Sequence, residues 1–447
     1  MVILMMTWWV TEAVPIPVTA LLPLVILPVF GVSSIGQAAA PFSSPTIMLL
    51  MGGFIIATSI ERWGLHARIA LNIVSKAGIH PAGIVGGFML AGAVLSMWIS
   101  NTATTIMLAP IAVSVAYAIL GNSAHRAPFT IAILLGLAYG ASIGGIATPV
   151  GTPTNLIVIG YLEQQLGISI SFAEWMAIGV PVVVLMLPAC WLTVTRLAIH
   201  IKVEDAAQGQ DTVHKELARL GPISTPERRV LIVFSFIAAA WILRQPLSAI
   251  EIGQLQPLAG LTDHVIAIAG AIVLFLIPAG SSPKDGTRLL DWESASRIPW
   301  GILLLFGGGL SMASALSQTG LAGWIGGLLV GLTAMPLIVL IVALVAFVIF
   351  ATEMMSNVAA ASALLPVIGA LALIDGADPV LLTMPIALAA SCAFMFPIAT
   401  GPNAIAFATG EVSIRQMAKV GFVLNLFGIV MVSGVIYFLA PFVSGAQ

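Results

Sequence analysis

Charge is scarce in this chain of 447 residues: 16 Lys+Arg and 18 Asp+Glu make up 8% of it, against roughly 25% in an ordinary soluble domain. A soluble protein of this length needs polar side chains over most of its surface. The shortage therefore excludes a soluble enzyme, a disordered protein and a nucleic-acid binder. The net charge of −2 leaves no basic footprint for nucleic acid. Cysteine is nearly absent as well. Cys190 and Cys392 sit in apolar stretches without metal or redox spacing. No GxxxxGK[ST], HExxH, GxSxG or His/Cys cluster is present, so no enzyme chemistry is expected. The six histidines are scattered near loops and span ends, and the first residues lack the basic flank of a signal peptide. What the chain has is apolar side chains, 60% of all residues, with a mean hydropathy of +1.11. That composition defines an all-α polytopic membrane protein.

Apolar runs lie at 1–10, 14–31, 45–60, 81–99, 102–121, 128–161, 174–199, 230–243, 263–280, 300–316, 335–355, 357–374, 379–410 and 419–441. Several are too short, or too interrupted by Gly and Pro, to cross a bilayer as simple helices. Residues 61–76 place Arg62, His66, Asn72 and Lys76 on one side and Leu65, Ile69 and Ile73 on the other, which predicts a helix lying in the interface. The polar stretch 201–229 reads as a water-exposed cytoplasmic connector. If 81–121 and 335–374 are re-entrant hairpins entering from opposite sides, all of the 16 Lys and Arg except Arg244 fall on one side, which is then the cytoplasm. Counting each hairpin arm as a full crossing returns the chain to the same side, so charge alone does not establish re-entrance.

The chain is written twice. Residues 100–110, SNTATTIMLAP, match 356–366, SNVAAASALLP, in register at Ser, Asn, Ala, Leu and Pro. A hydroxyl stands four residues before each Ser, at Ser96 and Thr352. Upstream, Gly52-Gly53-Phe54 answers Phe306-Gly307-Gly308-Gly309. Downstream, Thr152-Pro153-Thr154-Asn155 answers Thr400-Gly401-Pro402-Asn403. A duplicated order of features with hairpins on opposite sides predicts two inverted-topology repeats, 1–200 and 230–447, joined by the connector. By this comparison the first repeat is about 26 residues shorter at its start, so the N-terminus is expected to be truncated or its start misassigned.

Ser-Asn in the middle of an apolar segment is expensive unless used. A hairpin tip frees several backbone groups at once. The carbonyls and hydroxyls at Ser96, Ser100 and Asn101 suit a hard cation such as Na⁺, and free N–H groups with Asn and Thr side chains suit a carboxylate or other oxyanion. The Gly- and Pro-rich segments 150–155 and 399–403 are expected to be breaks in two further helices facing the tips. Gly136, Gly140 and Gly144, at four-residue spacing, are better read as helix-packing positions. The segments 81–121 and 127–162 hold no Asp, Glu, Lys or Arg, and 335–374 with 379–410 hold only Glu353. A dianion there would meet no fixed cation, which argues for cation-coupled anion transport. Glu353 is open to three readings: a proton site, a cation site, or a structural carboxylate bonded to free backbone.

Trp8-Trp9-Val10-Thr11-Glu12-Ala13-Val14-Pro15, the Ser-Asn-Thr at 100–102, Gly151-Thr152-Pro153-Thr154-Asn155, the Ser-Asn-Val at 356–358 and Thr400-Gly401-Pro402-Asn403 together resemble the divalent anion/sodium symporter (DASS) family. The resemblance covers nearly the whole chain. It implies a homodimeric elevator-type transporter of the inner (plasma) membrane, importing a C4-dicarboxylate such as succinate, malate or fumarate with two or more Na⁺. A sodium-independent exchanger and a citrate or sulfate transporter of the same fold are the alternatives within the family; a channel or structural membrane protein is the alternative outside it. Carried over by motif, one sodium site uses Ser96, Ser100, Asn101 and Gly151, and the other Thr352, Ser356, Asn357 and Ala399. The substrate meets Asn101, Thr102, Thr152, Asn357, Val358 and Thr400. Two departures stand out: Val358 occupies the place of the second Thr, and Pro153-Thr154-Asn155 replaces Pro-Pro-Asn.

Overall fold

The computed structural model describes residues 1–120, 126–199, 207–252, 255–280, 286–329, 335–375 and 378–443. Residue 121 at the end of the first expected hairpin, the connector's start at 201–206, and Lys202 and Lys284 of the charge tally lie outside the described residues. The regular structure is helical apart from isolated β-bridges. Among the described residues five helices are long and apolar enough to cross a bilayer: 101–119, 127–147, 172–197, 300–318 and 414–442. The chain is a polytopic membrane protein.

The chain forms two compact units, each drawing on both halves of the sequence. The first comprises Met1–Leu65, Ile159–Met176 and Pro222–Leu321. Here the twin glycine motifs serve close packing. A Cβ on Gly52 of the helix Pro45–Arg62 would lie 2.7 Å from Ala267 Cβ in the helix Asp263–Leu276. One on Gly308 of the helix Trp300–Gln318 would lie 2.2 Å from Ala20 O. Ion pairs in this unit join Arg244 to Asp263 at 3.2 Å, Arg62 to Asp291, and Arg297 to Glu293. The Ser294 backbone N–H, more than the arginine, holds the Asp291 carboxyl below the usual carboxylate range.

The second unit comprises His66–Val158, Ala177–Gly221 and Ala322–Gln447. The helices Pro81–Ser96 and Arg126–Gly144 form its tightest pair. A Cβ on Gly140 would lie 2.5 Å from Met89 O, and one on Gly144 would lie 2.2 Å from Ala93 O. Only glycine lets the two backbones meet this closely, as the four-residue spacing anticipates. The helix Leu65–Ser75 forms where an interface helix is expected; it buries Leu65, Ala70, Leu71 and Val74 within the protein, while Ile69 and Ile73 are half-exposed. Val74 and Ala77, at and just past its C-terminal end, close onto Gly83 and Gly87 of the next helix. The connector holds more structure than a solvated loop. The helix Ala207–Arg219 packs on the helix Asn101–Leu120 and buries Val213, and Arg68 donates to Leu220 O and Gly221 O just beyond its end. An arginine beside the last carbonyls also complements the helix dipole.

Candidate functional site

Both Ser-Asn motifs form the same local structure. The helix Pro81–Ser96 stops, residues 97–100 turn, and Asn101 opens the next helix; Leu337–Thr352 stops, residues 353–356 turn, and Asn357 opens the next. Ser100 O accepts from Thr104 N at 3.0 Å and Ser356 O from Ala360 N at 2.9 Å, so each Ser stands at the N-cap position. At 16 residues, Pro81–Ser96 and Leu337–Thr352 fall short of the roughly 20 residues that a crossing needs. The arm Asn101–Leu120 is long enough to cross by itself.

Both expected helix breaks are present. The run 128–161 divides into Arg126–Gly144, a 3₁₀ turn at Gly145–Ala147, and Pro153–Leu166. The run 379–410 divides into Pro379–Ala390 and Gly401–Ala408, with residues 391–400 unwound between them.

The first break meets the first tip. A Cβ on Gly145 would lie 2.9 Å from Asn101 Oδ1, and one on Gly151 would lie 2.5 Å from Gly145 O and 2.9 Å from Ser96 O. These residues therefore touch through backbone that only glycine leaves open. Ser96 Oγ and Asn101 Oδ1 are buried and lack a hydrogen-bond partner among the described residues. Each such oxygen costs about 1–3 kcal/mol while unsatisfied. Neutral hydroxyl, amide and carbonyl oxygens gathered without a cationic side chain are suitable ligands for a hard monovalent cation. Ser96, Asn101 and Gly151 come together as the motif implies. Ser100 is exposed, and its hydroxyl faces the Ala103 N–H at 3.5 Å.

The second half-site is built from the same parts, differently joined. Thr352 Oγ1 donates to Asn357 Oδ1 at 2.7 Å and lies 3.2 Å from Ala390 O. Ala399 is buried, with its N–H on Phe396 O at 3.2 Å; Ser356 and Val358 are half-buried. Thr400 caps the helix Gly401–Ala408 by accepting from Asn403 N at 3.2 Å, which leaves its own O–H to donate elsewhere.

The two half-sites share a boundary. A Cβ on Gly401 would lie within 2.1 Å of Thr102 Oγ1, so the first tip rests on the start of the second broken helix. Thr152 Oγ1 lies 3.3 Å from Thr154 Oγ1, which lies 3.2 Å from Ser391 Oγ: a hydroxyl chain from one break to the other. Thr152 engages Thr154 in this chain rather than either tip.

Glu353 acts at the second break as a structural carboxylate. Its oxygens accept the N–H groups of Phe394 at 2.7 Å, Met395 at 2.9 and 3.0 Å and Phe396 at 3.2 Å, and Asn425 Nδ2 at 2.8 Å. Tyr139 donates to Phe394 O at 2.7 Å, and the Cα of Gly421 lies flush against that carbonyl. Sequence reading did not find Gly145, Ala390, Tyr139 or Asn425. The first two contribute backbone only. Tyr139 and Asn425, polar side chains within long apolar helices, were the available signals.

With this geometry in view, the comparisons are consistent. The chain matches the sodium:sulfate symporter transmembrane region over residues 1–443 and belongs to that family, the divalent anion/sodium symporters. Among its relatives, the sodium-dependent dicarboxylate transporter SdcS of Staphylococcus saprophyticus is 40% identical over 445 residues, 98% of this chain and 85% of the relative. SdcS of Staphylococcus aureus strain USA300 is 39% identical over the same span. Two solved structures share the fold at low identity. The YdaH transporter of Alcanivorax borkumensis has a TM-score of 0.61 at 14% identity, covering 94% of this chain and 89% of its own. MtrF of Neisseria gonorrhoeae has 0.62 at 12%, covering 92% and 83%.

Proposed function

We propose that this protein is a sodium-coupled symporter of the plasma membrane that imports a C4-dicarboxylate with two or more Na⁺. The observation that carries the reading is the pair of oxygen-lined half-sites at the Ser-Asn tips, with buried oxygens at the first that lack hydrogen-bond partners among the described residues and no Arg or Lys in the tip and break segments themselves. A dianion in such a place is neutralised only by cations that arrive with it. The name of the SdcS relatives, sodium-dependent dicarboxylate transporter, supports both halves of the reading.

In this reading Ser96, Ser100, Asn101 and Gly151 hold one Na⁺, and Thr352, Ser356, Asn357 and Ala399 the other. Asn101, Thr102, Thr152, Asn357, Val358 and Thr400 face the substrate, with Val358 supplying bulk where the first tip supplies a hydroxyl. The halves 1–200 and 230–447 are inverted repeats joined by 201–229. The protein works as a homodimer, and an elevator movement carries the site across the bilayer. The test is uptake of radiolabelled succinate into proteoliposomes. Initial rates rise with external sodium at a Hill coefficient above one, and malate and fumarate compete better than citrate, sulfate or glutamate. Full uptake in choline medium refutes sodium coupling, and a requirement there for a counter-substrate inside the vesicles then leaves the exchanger. Stronger competition by citrate or sulfate moves the substrate within the family.

A further inference from the structure

Asn155 and Asn403 share two corresponding bonds in the two breaks, and Asn155 Nδ2 has a further, longer contact with Ile146 O at 3.5 Å. Asn155 Nδ2 donates to Gly145 O at 3.0 Å and Thr148 O at 2.8 Å, ten and seven residues back. Asn403 Nδ2 donates to Ala393 O at 3.1 Å and Phe396 O at 3.0 Å, again ten and seven residues back. In each case the nearer carbonyl has a second donor three residues ahead of it. Thr148 O also accepts from Gly151 N at 3.3 Å, and Phe396 O from Ala399 N at 3.2 Å. Gly151 and Ala399 are the break residues assigned above to the two sodium sites. Both Asn side chains are fully buried. With carbonyls on two sides, the amide nitrogen must face them, which fixes the orientation of the group. Oδ1 then points away and is unpartnered among the described residues in both repeats. Among the described residues neither amide hydrogen-bonds to a tip, and neither residue is among the site residues named from the motifs.

We propose that Asn155 and Asn403 are positioning residues for sodium, each bracketing one break so that its ligand residue, Gly151 or Ala399, is held toward the facing Ser-Asn tip. A helix break releases carbonyls that otherwise swing freely or seek water. The amide ties two of them to one rigid group and shares one with the N–H of the ligand residue, so that residue's direction follows the bracket. Removing the amide leaves both carbonyls to reorient, and the affinity it weakens is that for the cation.

This proposal rests on the sodium-coupled reading above, and one experiment separates the two. Wild type, Asn155→Ala and Asn403→Ala are purified and reconstituted, and succinate uptake is titrated with sodium and, at saturating sodium, with succinate. Thermal unfolding of each in detergent is followed with and without NaCl. The expected result is a rise of at least about fivefold in the sodium concentration for half-maximal rate in each variant. Succinate KM at saturating sodium stays within about twofold, and the stabilisation by NaCl is reduced while unfolding in choline chloride is little changed. A sodium response shifted less than twofold in both variants overturns the bracket role, as does a succinate KM raised as much as the sodium constant. If neither variant folds, the amides serve the fold alone and the proposal is likewise overturned. A wild type indifferent to sodium takes down the sodium-coupled reading itself, and this proposal with it.

Discussion

Replacing Glu353 by Gln tests the account of the second break with almost no change of shape. Three backbone N–H groups and the Asn425 amide converge on the two carboxylate oxygens at 2.7–3.2 Å. In the better of two orientations the new NH₂ replaces Oε2. Phe396 N–H then faces a donor, and Met395 keeps a single acceptor. Stranding one buried donor costs about 1–3 kcal/mol, and turning the remaining charge-assisted bonds into neutral ones costs roughly 1 kcal/mol each. Part of this is offset because a buried charge is no longer desolvated. The net expectation is a loss of about 3 kcal/mol. At roughly 1–2 °C per kcal/mol for a chain of this length, the apparent Tm falls by roughly 3–6 °C. Asn425→Ala removes one donor and leaves the carboxylate its three backbone partners, so its cost is about 1–2 kcal/mol. The assay is thermal unfolding of the purified protein in detergent, wild type beside both variants. The reasoning fails if Glu353→Gln melts within about 1 °C of wild type, or if Asn425→Ala proves the more damaging of the two.

Three further outcomes follow from the site. Asn101→Ala and Asn357→Ala abolish uptake while the protein elutes as wild type does in size exclusion; near-normal transport by both sinks the assignment of the tips. Gly401→Ala puts a methyl 2.1 Å from Thr102 Oγ1, so Thr102 must move and succinate KM rises at least about tenfold at saturating sodium; an unchanged KM means that Thr102 does not face the substrate. Val358→Thr adds a donor at the second tip and shifts the affinity ratio between C4-dicarboxylates and citrate or sulfate by roughly threefold to tenfold, about 0.6–1.4 kcal/mol; an unchanged ratio across a competition panel places Val358 away from the ligand.

The polar groups interrupting apolar runs were legible in the sequence because in a membrane they have few structural excuses. Ser96, Asn101, Thr352 and Asn357 announced two hairpin tips, and Gly151-Thr152-Pro153 and Thr400-Gly401-Pro402 announced two breaks. What did not show is whatever acts through backbone or through long-range contact. The carbonyls of Gly145 and Ala390 carry no side-chain signature. That Glu353 meets Phe394–Phe396 is a matter of tertiary placement, not spacing. The residues that Leu65–Ser75 buries within the protein beside Leu65, namely Ala70, Leu71 and Val74, follow from tertiary placement and not from the periodicity that picks out Ile69 and Ile73. The connector's helix was missed because its composition is that of a solvated surface, and the deeply buried Val213 makes too faint a pattern.

Apart from Glu353 and the buried thiol of Cys392 the tips and breaks hold no ionisable side chain, and the carboxylate is fully occupied by four donors. The surroundings offered to an incoming anion are hydroxyls, amides and peptide groups, none of which gains or loses a proton between mildly acidic and mildly alkaline conditions. With the substrate held at the tips as proposed, acidity is sensed through the cargo. A dicarboxylic acid that picks up a proton presents one charge fewer to a cage that cannot adjust its own, and the pH profile of uptake is the titration curve of the solute rather than of the protein.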